Sequence, residues 1–176
     1  AVSEPNKVLV LAEAAARADD LARALKSVGL AVEVQTPRDT MRPEDLAKYR
    51  AIFLLGLIAP DAALWNALEA YVSRGGGLGI IPGGEEMKLA AYNDGPARKL
   101  LPAAFTAAVA SKDQGLEKEG GALWNLDENG IFQHPLLARF GQWRGDKNID
   151  FIRYPRGAFY YWNLQLDDKG SAPLVR

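Results

Sequence analysis

With 176 residues, of which 48% are apolar and 24% charged, the chain has the length and composition of one globular domain with a real core. Its 21 basic and 22 acidic residues nearly cancel to a net charge of −1, which argues against a nucleic-acid footprint, and the absence of cysteine excludes disulfides, thiolate metal sites and a cysteine nucleophile. Every apolar run falls short of the ~20 residues that a membrane-spanning helix needs.

Lys7 to Ala12 (KVLVLA) is a compact apolar run of the kind that fills a buried parallel strand. Asp19-Asp20 then lead a helix with Leu21, Leu25 and Val28 as its stripe and Gly29 as its stop. Ala31 to Gln35 alternates as a second strand. Pro43-Glu44-Asp45 opens a short helix toward Tyr49, with proline and acids in the first turn where the helix dipole favours them. Ala51 to Ile58 is the third and most apolar strand. Pro60-Asp61 begins a helix with Leu64, Leu68 and Tyr71/Val72 facing inward, Gly75 ends it, and Leu78 to Ile81 makes a fourth strand. Strands alternating with glycine-closed helices predict right-handed βαβ units and a mostly parallel sheet, of five or more strands, covered on both faces.

Beyond Gly84, Glu85 to Tyr92 and Ala97 to Leu101 read as helices and Phe105 to Ala110 as a strand. Ser111 to Gly121 reads as an exposed loop and His134 to Phe140 as a short helix or turn. Ile149 to Leu166 is rich in aromatic and β-branched residues and is broken by Pro155-Arg156-Gly157, the pattern of a β-rich excursion with a hairpin. No signal peptide is visible in the polar stretch Ala1 to Asn6. Starting on Ala1 and stopping at Leu174-Val175-Arg176, the sequence is expected to be a domain cut from a longer protein.

The order of strand, helix, Gly75-Gly76-Gly77, strand and Gly83-Gly84 turn resembles the class I glutamine amidotransferase-like superfamily, which includes trehalose-utilisation-type proteins. At a finer level, several segments resemble, in order, the extracytoplasmic domain of bacterial aerotolerance-type membrane proteins that also carry a von Willebrand factor A domain. They are Glu4 to Val10, Leu46 to Leu54, Ala67 to Val72, Tyr92-Asn93, Leu100 to Ala103, His134 to Leu137 and Ala172 to Val175. This resemblance spans nearly the whole chain. It implies a three-layer, flavodoxin-like α/β domain over residues 1–176, a membrane-anchored parent, a place outside the cytoplasmic membrane (a cytoplasmic one being the alternative) and no defined activity.

The departures concern the chemistry. Catalytic amidotransferases carry Gly-x-Cys-x-Gly on a strained turn whose backbone amides form an oxyanion hole. Aligning the glycines places Ile81, or in the other frame Pro82, where the cysteine would stand, and neither side chain can attack a carbonyl.

His134 is the one histidine, and in His134-Pro135-Leu136 it matches the amidotransferase His-Pro-Glu element with the glutamate replaced; the plainer reading is a residue that caps a turn. Glu85 and Glu86 follow the glycine turn at the carboxyl ends of the strands, where α/β sheets bind ligands, and are candidate acid/base groups. As structure, they are acids in the first turn of a helix. No spacing of His, Asp or Glu marks a metal site, although Asp127 and Asp150 could join by folding. The glycine run could cradle an anion through its amides, but no Lys-Ser/Thr follows it; otherwise it is a helix cap and a tight turn. A basic-aromatic cluster in the last third, with Trp143, Arg144, Arg153, Tyr154, Arg156 and Tyr161, suits a protein or carbohydrate contact or else plain β-structure.

These readings converge on a non-catalytic interaction or structural module. It would present Gly83, Gly84 and the aromatic cluster to another protein or another domain of the parent chain, with no cofactor, metal or nucleic acid. The alternatives are a carbohydrate-processing, trehalose-utilisation-like enzyme built on Glu85, Glu86 and His134, or a sensor binding a small anion or sugar at the glycine turn.

Overall fold

The computed structural model describes residues 6–37, 41–110 and 160–166. The chain divides into two compact units, residues 1–105 and residues 106–176.

In the first unit, β1 (Lys7–Ala12), β2 (Ala31–Gln35), β3 (Ala51–Leu55) and β4 (Gly77–Ile81) form a four-stranded sheet in the order β2-β1-β3-β4. All three pairings are parallel, with Val10 opposite both Val34 and Phe53. Val8 to Ala12 are buried on both faces, which explains why β1 is apolar without alternation. After a 3-10 turn at Ala15–Ala18, α1 (Asp19–Ser27) leads to β2; α2 (Pro43–Leu46) precedes β3, and α3 (Ala62–Ser73) leads from β3 to β4.

From β1 the chain steps to β2 on one side, then returns past β1 to β3 and β4 on the other. Right-handed crossovers therefore put α1 and α3 on opposite faces. Val10, Ala12 and Ala18 form a core cluster on the α1 face, with Leu21 and Leu25 packed against it. Val28 leaves the expected stripe: it follows the last helical turn and is 72% exposed. On α3 the buried stripe is Leu64, Trp65, Leu68 and Tyr71, so Trp65 joins the predicted positions while Val72 is only half buried.

Both crossover helices end in the same way. Gly75, at φ +93°, donates its N–H to Val72, and the Gly76 N–H reaches back to Tyr71; Gly29 and Leu30 repeat the pattern on Lys26 and Leu25. This is the Schellman arrangement, in which a left-handed residue satisfies the last free carbonyls of the helix.

Beyond β4 lie two short helices, α4 (Leu89–Asn93) and α5 (Ala97–Leu100), and then β5 (Ala103–Ala110). Trp65, Tyr92 and Phe105 stack edge to face at 5.6 Å between successive rings, and the Trp65 indole N–H donates to the Ala91 carbonyl at 2.8 Å. The side chain of Asn93 pairs with both backbone groups of Phe105, which anchors the start of β5 to the first unit. β5 pairs with β6 (Tyr160–Leu166) in a separate two-stranded sheet, so the carboxyl-terminal β-structure expected from the sequence is present over its described part. The readings for 111–121, 134–140 and 149–159 lie outside the described residues.

Candidate functional site

The turn after β4, where the amidotransferase nucleophile would stand, is built for packing. Ile81 ends the strand and Pro82 follows, and among the described residues every one in the left-handed region is a glycine. No strained side chain projects from this turn, as a nucleophile elbow requires. The glycines have steric reasons. The Gly56 N–H donates to the Ile81 carbonyl at 2.9 Å, and a Cβ on Gly83 would lie 3.3–3.4 Å from the Gly56 backbone. The loops after β3 and β4 thus touch backbone to backbone. Gly79 is likewise filled from across the sheet, because a Cβ there would sit 2.7 Å from the Phe53 ring. Gly84 has open space around it.

Glu85 and Glu86 do not begin a helix, contrary to the sequence expectation. The chain first makes a turn closed by the Met87 N–H on the Gly84 carbonyl. The Lys88 N–H then bonds the Ile58 carbonyl at 2.8 Å, and α4 starts only at Leu89. That bond draws the backbone into the β3–α3 loop before helical hydrogen bonds can form. Both glutamates are exposed, and Glu86 meets Arg17 at 3.9 Å in a solvated pair. His134, Trp143, Arg144, Arg153, Tyr154 and Arg156 lie outside the described residues, while Tyr161 is half buried on β6 beside Tyr160 and Trp162. Among the described residues, no three His, Cys, Asp or Glu side chains gather as a metal would require.

Among the described residues, a concavity lies at the adjacent strand ends. β1 and β3 are the strands between which the chain reverses direction across the sheet, the crevice where open α/β sheets bind ligands. A cleft of ≈ 200 Å³ opens there, bearing the carboxylates of Glu13 and Asp61 and the hydroxyl of Thr36. Pro37, Leu57, Ala59, Pro60 and Leu64 complete its lining, with the side chains of Leu57 and Leu64 buried beneath it.

Each polar group arrives by local structure. Glu13 directly follows β1 and accepts the Ile58 N–H at 2.7 Å through Oε1, bracing the β3–α3 loop. Asp61 is the N-cap of α3 and accepts the Leu64 N–H at 2.7 Å. Thr36 is the first residue after β2. From beneath, the buried Tyr92 hydroxyl donates to the Leu57 carbonyl at 2.7 Å. Burial, with the negative charge of Glu13 adding to it, pushes that hydroxyl well above the usual tyrosine range. The β3–α3 loop is therefore held by Glu13, Lys88, Tyr92 and the β4 end at once, a preorganised wall for the cleft. Glu13 and Asp61 escape a sequence search because neither sits in a motif. The available signal is a carboxylate placed immediately after an apolar strand, and another at a helix start, on the two strands flanking the crossover reversal.

A second polar cluster, on Lys7, Glu33, Gln35 and Tyr49, ties edge strand β2 to β1 and to the segment that leads into β3. Lys7 pairs with Glu33 at 3.0 Å, Gln35 donates to Glu33, and the ammonium groups of Lys7 and Lys48 lie 5.6 and 5.0 Å from the Tyr49 ring centre.

No protein-family model and no curated protein matches the chain. Among solved structures, it is similar to a ThuA-like protein from Bacteroides uniformis, with a TM-score of 0.51 and 18% identity, over 78% of this chain and 56% of that one. The fold is the class I glutamine amidotransferase-like, flavodoxin-like one. The chain spans little more than half the length of that relative. No helix of the described residues is long and apolar enough to cross a membrane.

Proposed function

We propose that this domain is an amidotransferase-like recognition module that binds a ligand at the β1/β3 crevice and performs no covalent amide chemistry. The observation that carries this reading is the division between the two loops. The β4 turn offers Ile81, Pro82 and close-packed glycines where a nucleophile would be needed, while the neighbouring crevice presents a braced cleft with two carboxylates and a hydroxyl. The resemblance of the sequence to an extracytoplasmic domain of aerotolerance-type proteins favours a membrane-anchored parent, within which such a module would contact another domain or protein. Ammonia release from L-glutamine tests the central point: none above the protein-free background is expected, and release that is abolished by His134→Ala overturns the reading.

The likeness to a ThuA-like protein favours a second reading, a carbohydrate-processing enzyme of the trehalose-utilisation kind. Glu85 and Glu86 point away from it, since both are exposed on a turn and outside the lining of the cleft. Conversion of a disaccharide by the purified chain, lost in a Glu85→Gln/Glu86→Gln double variant, would establish this reading in place of the first.

A further inference from the structure

Among the described residues, Asp94 is the one Asp or Asn followed by glycine, and the pair Asp94-Gly95 lies in the turn between α4 and α5. Every other Asp or Asn there precedes a residue whose side chain crowds the next backbone nitrogen. Gly95 gives no such shield. It is exposed at φ +54°, and nothing lies within 4 Å of where a Cβ would stand. The Asp94 N–H closes α4 on the Ala90 carbonyl, and backbone pairing resumes where the Lys99 N–H bonds Pro96. Between those two bonds the Asp94–Gly95 peptide group is open: among the described residues neither the Asp94 carbonyl nor the Gly95 N–H has a hydrogen-bond partner. The Asp94 side chain is exposed and equally unheld. Its backbone is extended at φ −108°, ψ 160°, and no hydrogen bond opposes the rotation about ψ that brings the Gly95 nitrogen to the carboxyl carbon. Asn93, one residue earlier, is the contrast, because both ends of its amide are held by the backbone of Phe105.

We propose that Asp94 is a site of spontaneous isomerisation to isoaspartate through a cyclic imide formed with Gly95. In the first step the Gly95 nitrogen bonds to Cγ of the protonated Asp94 carboxyl. The Cγ–OH bond breaks, and that hydroxyl leaves with the Gly95 amide proton as one water. In the second step one water adds back to the ring. Opening at Cγ restores aspartate, whereas opening at the main-chain carbonyl carbon leaves the chain running through the side chain as isoaspartate. Water is the only co-reactant, and nothing is oxidised or reduced. The product carries one extra methylene in the main chain directly after Asn93, the residue that clamps the start of β5. The inference concerns a turn outside the lining of the β1/β3 crevice and does not depend on the recognition reading.

Ageing of the full, folded chain at neutral pH and physiological temperature tests the assignment, beside a synthetic peptide of residues 89–98 under the same conditions. Trypsin cuts after Lys88 and Arg98 and releases that same segment from the protein, while Asn129-Gly130 falls on a different fragment. Isomerisation leaves the fragment's mass unchanged, which separates it from deamidation of Asn93, and electron-transfer fragmentation locates the isoaspartate. A turn with nothing to break reacts like the free peptide, whereas a protected one is slowed by its local opening equilibrium. Isoaspartate at Asp94 is therefore expected to accumulate in the folded chain within about tenfold of the peptide's rate, that is, with less than about 1.4 kcal/mol of opening free energy. Asp94→Glu keeps the charge at an exposed position but needs a larger ring, and no isomerised product is expected from it. The proposal is overturned if the folded chain forms no isoaspartate at Asp94 while the peptide does, if it lags the peptide by more than about tenfold, or if Asp94→Glu gives the same product. Ammonia release from L-glutamine would overturn the recognition reading and leave this one standing.

Discussion

At Glu33, burial on its own would raise the carboxyl pKa, but hydrogen bonds from Lys7, Tyr49 and Gln35, with the charge of Lys48, outweigh it and lower the value from 4.5 to about 2. A depressed carboxylate contributes stability that is present above its unfolded pKa and lost as pH falls through the folded one. The window here runs from about pH 4.5 down to about pH 2. Melting temperatures of the wild type and Glu33→Gln should therefore differ at neutral pH and converge toward the acid end; a gap that stays constant with pH would show that the Lys7–Glu33–Tyr49 contacts do not set the shift. Glycines make a second test at this scale. Gly79→Ala forces a Cβ into the Phe53 ring and should cost about 1–3 kcal/mol, whereas Gly84→Ala meets open space and should stay within about 0.5 kcal/mol, both read by urea denaturation. The glycine run was conspicuous in the sequence, yet its meaning was not legible there. Whether Gly79 and Gly83 frame a nucleophile or make room for Phe53 and Gly56 depends on partners some 26 and 27 positions away, across the sheet.

Among the elements, the four strands of the main sheet and the three helices preceding β4 follow the sequence within a few residues, because each signal is local. β1 and β3 are unbroken apolar runs, and α1 and α3 stop at glycines that adopt the left-handed caps expected of them. Between Gly84 and Leu89 the reading failed for a non-local reason: the Lys88 N–H is drawn to Ile58 in another loop, so acids that suit a helix start sit in a turn instead. α3 buries five residues, among them Trp65, which is 1% exposed and bonded to Ala91. Trp65→Ala should cost about 3–5 kcal/mol and Asp61→Ala about 0.5–2 kcal/mol of unfolding free energy, while Asp61→Asn leaves stability nearly unchanged. If Asp61→Ala also left stability unchanged, Asp61 would not be acting as the cap of α3.

For the molecule as a whole, strand order decides where the crevice opens. The order β2-β1-β3-β4 puts the reversal of the chain between β1 and β3, and three separate loops converge there to make the cleft. The βαβ grammar made the fold class readable from sequence, but the convergence of Glu13, Thr36 and Asp61 was not, because it depends on which strands become neighbours. The glycines of the sequence mark the β4 turn instead, where the amidotransferase pattern would place the chemistry. Amide chemical-shift mapping of the full chain titrated with L-glutamine and, separately, trehalose separates the two locations most directly. Expected are shifts at the amides of Ile58 and Leu64, the two groups held by Glu13 and Asp61, with either probe that binds. Shifts confined to the amides of Gly83 through Glu86, with Ile58 and Leu64 unmoved, would contradict recognition at the β1/β3 crevice.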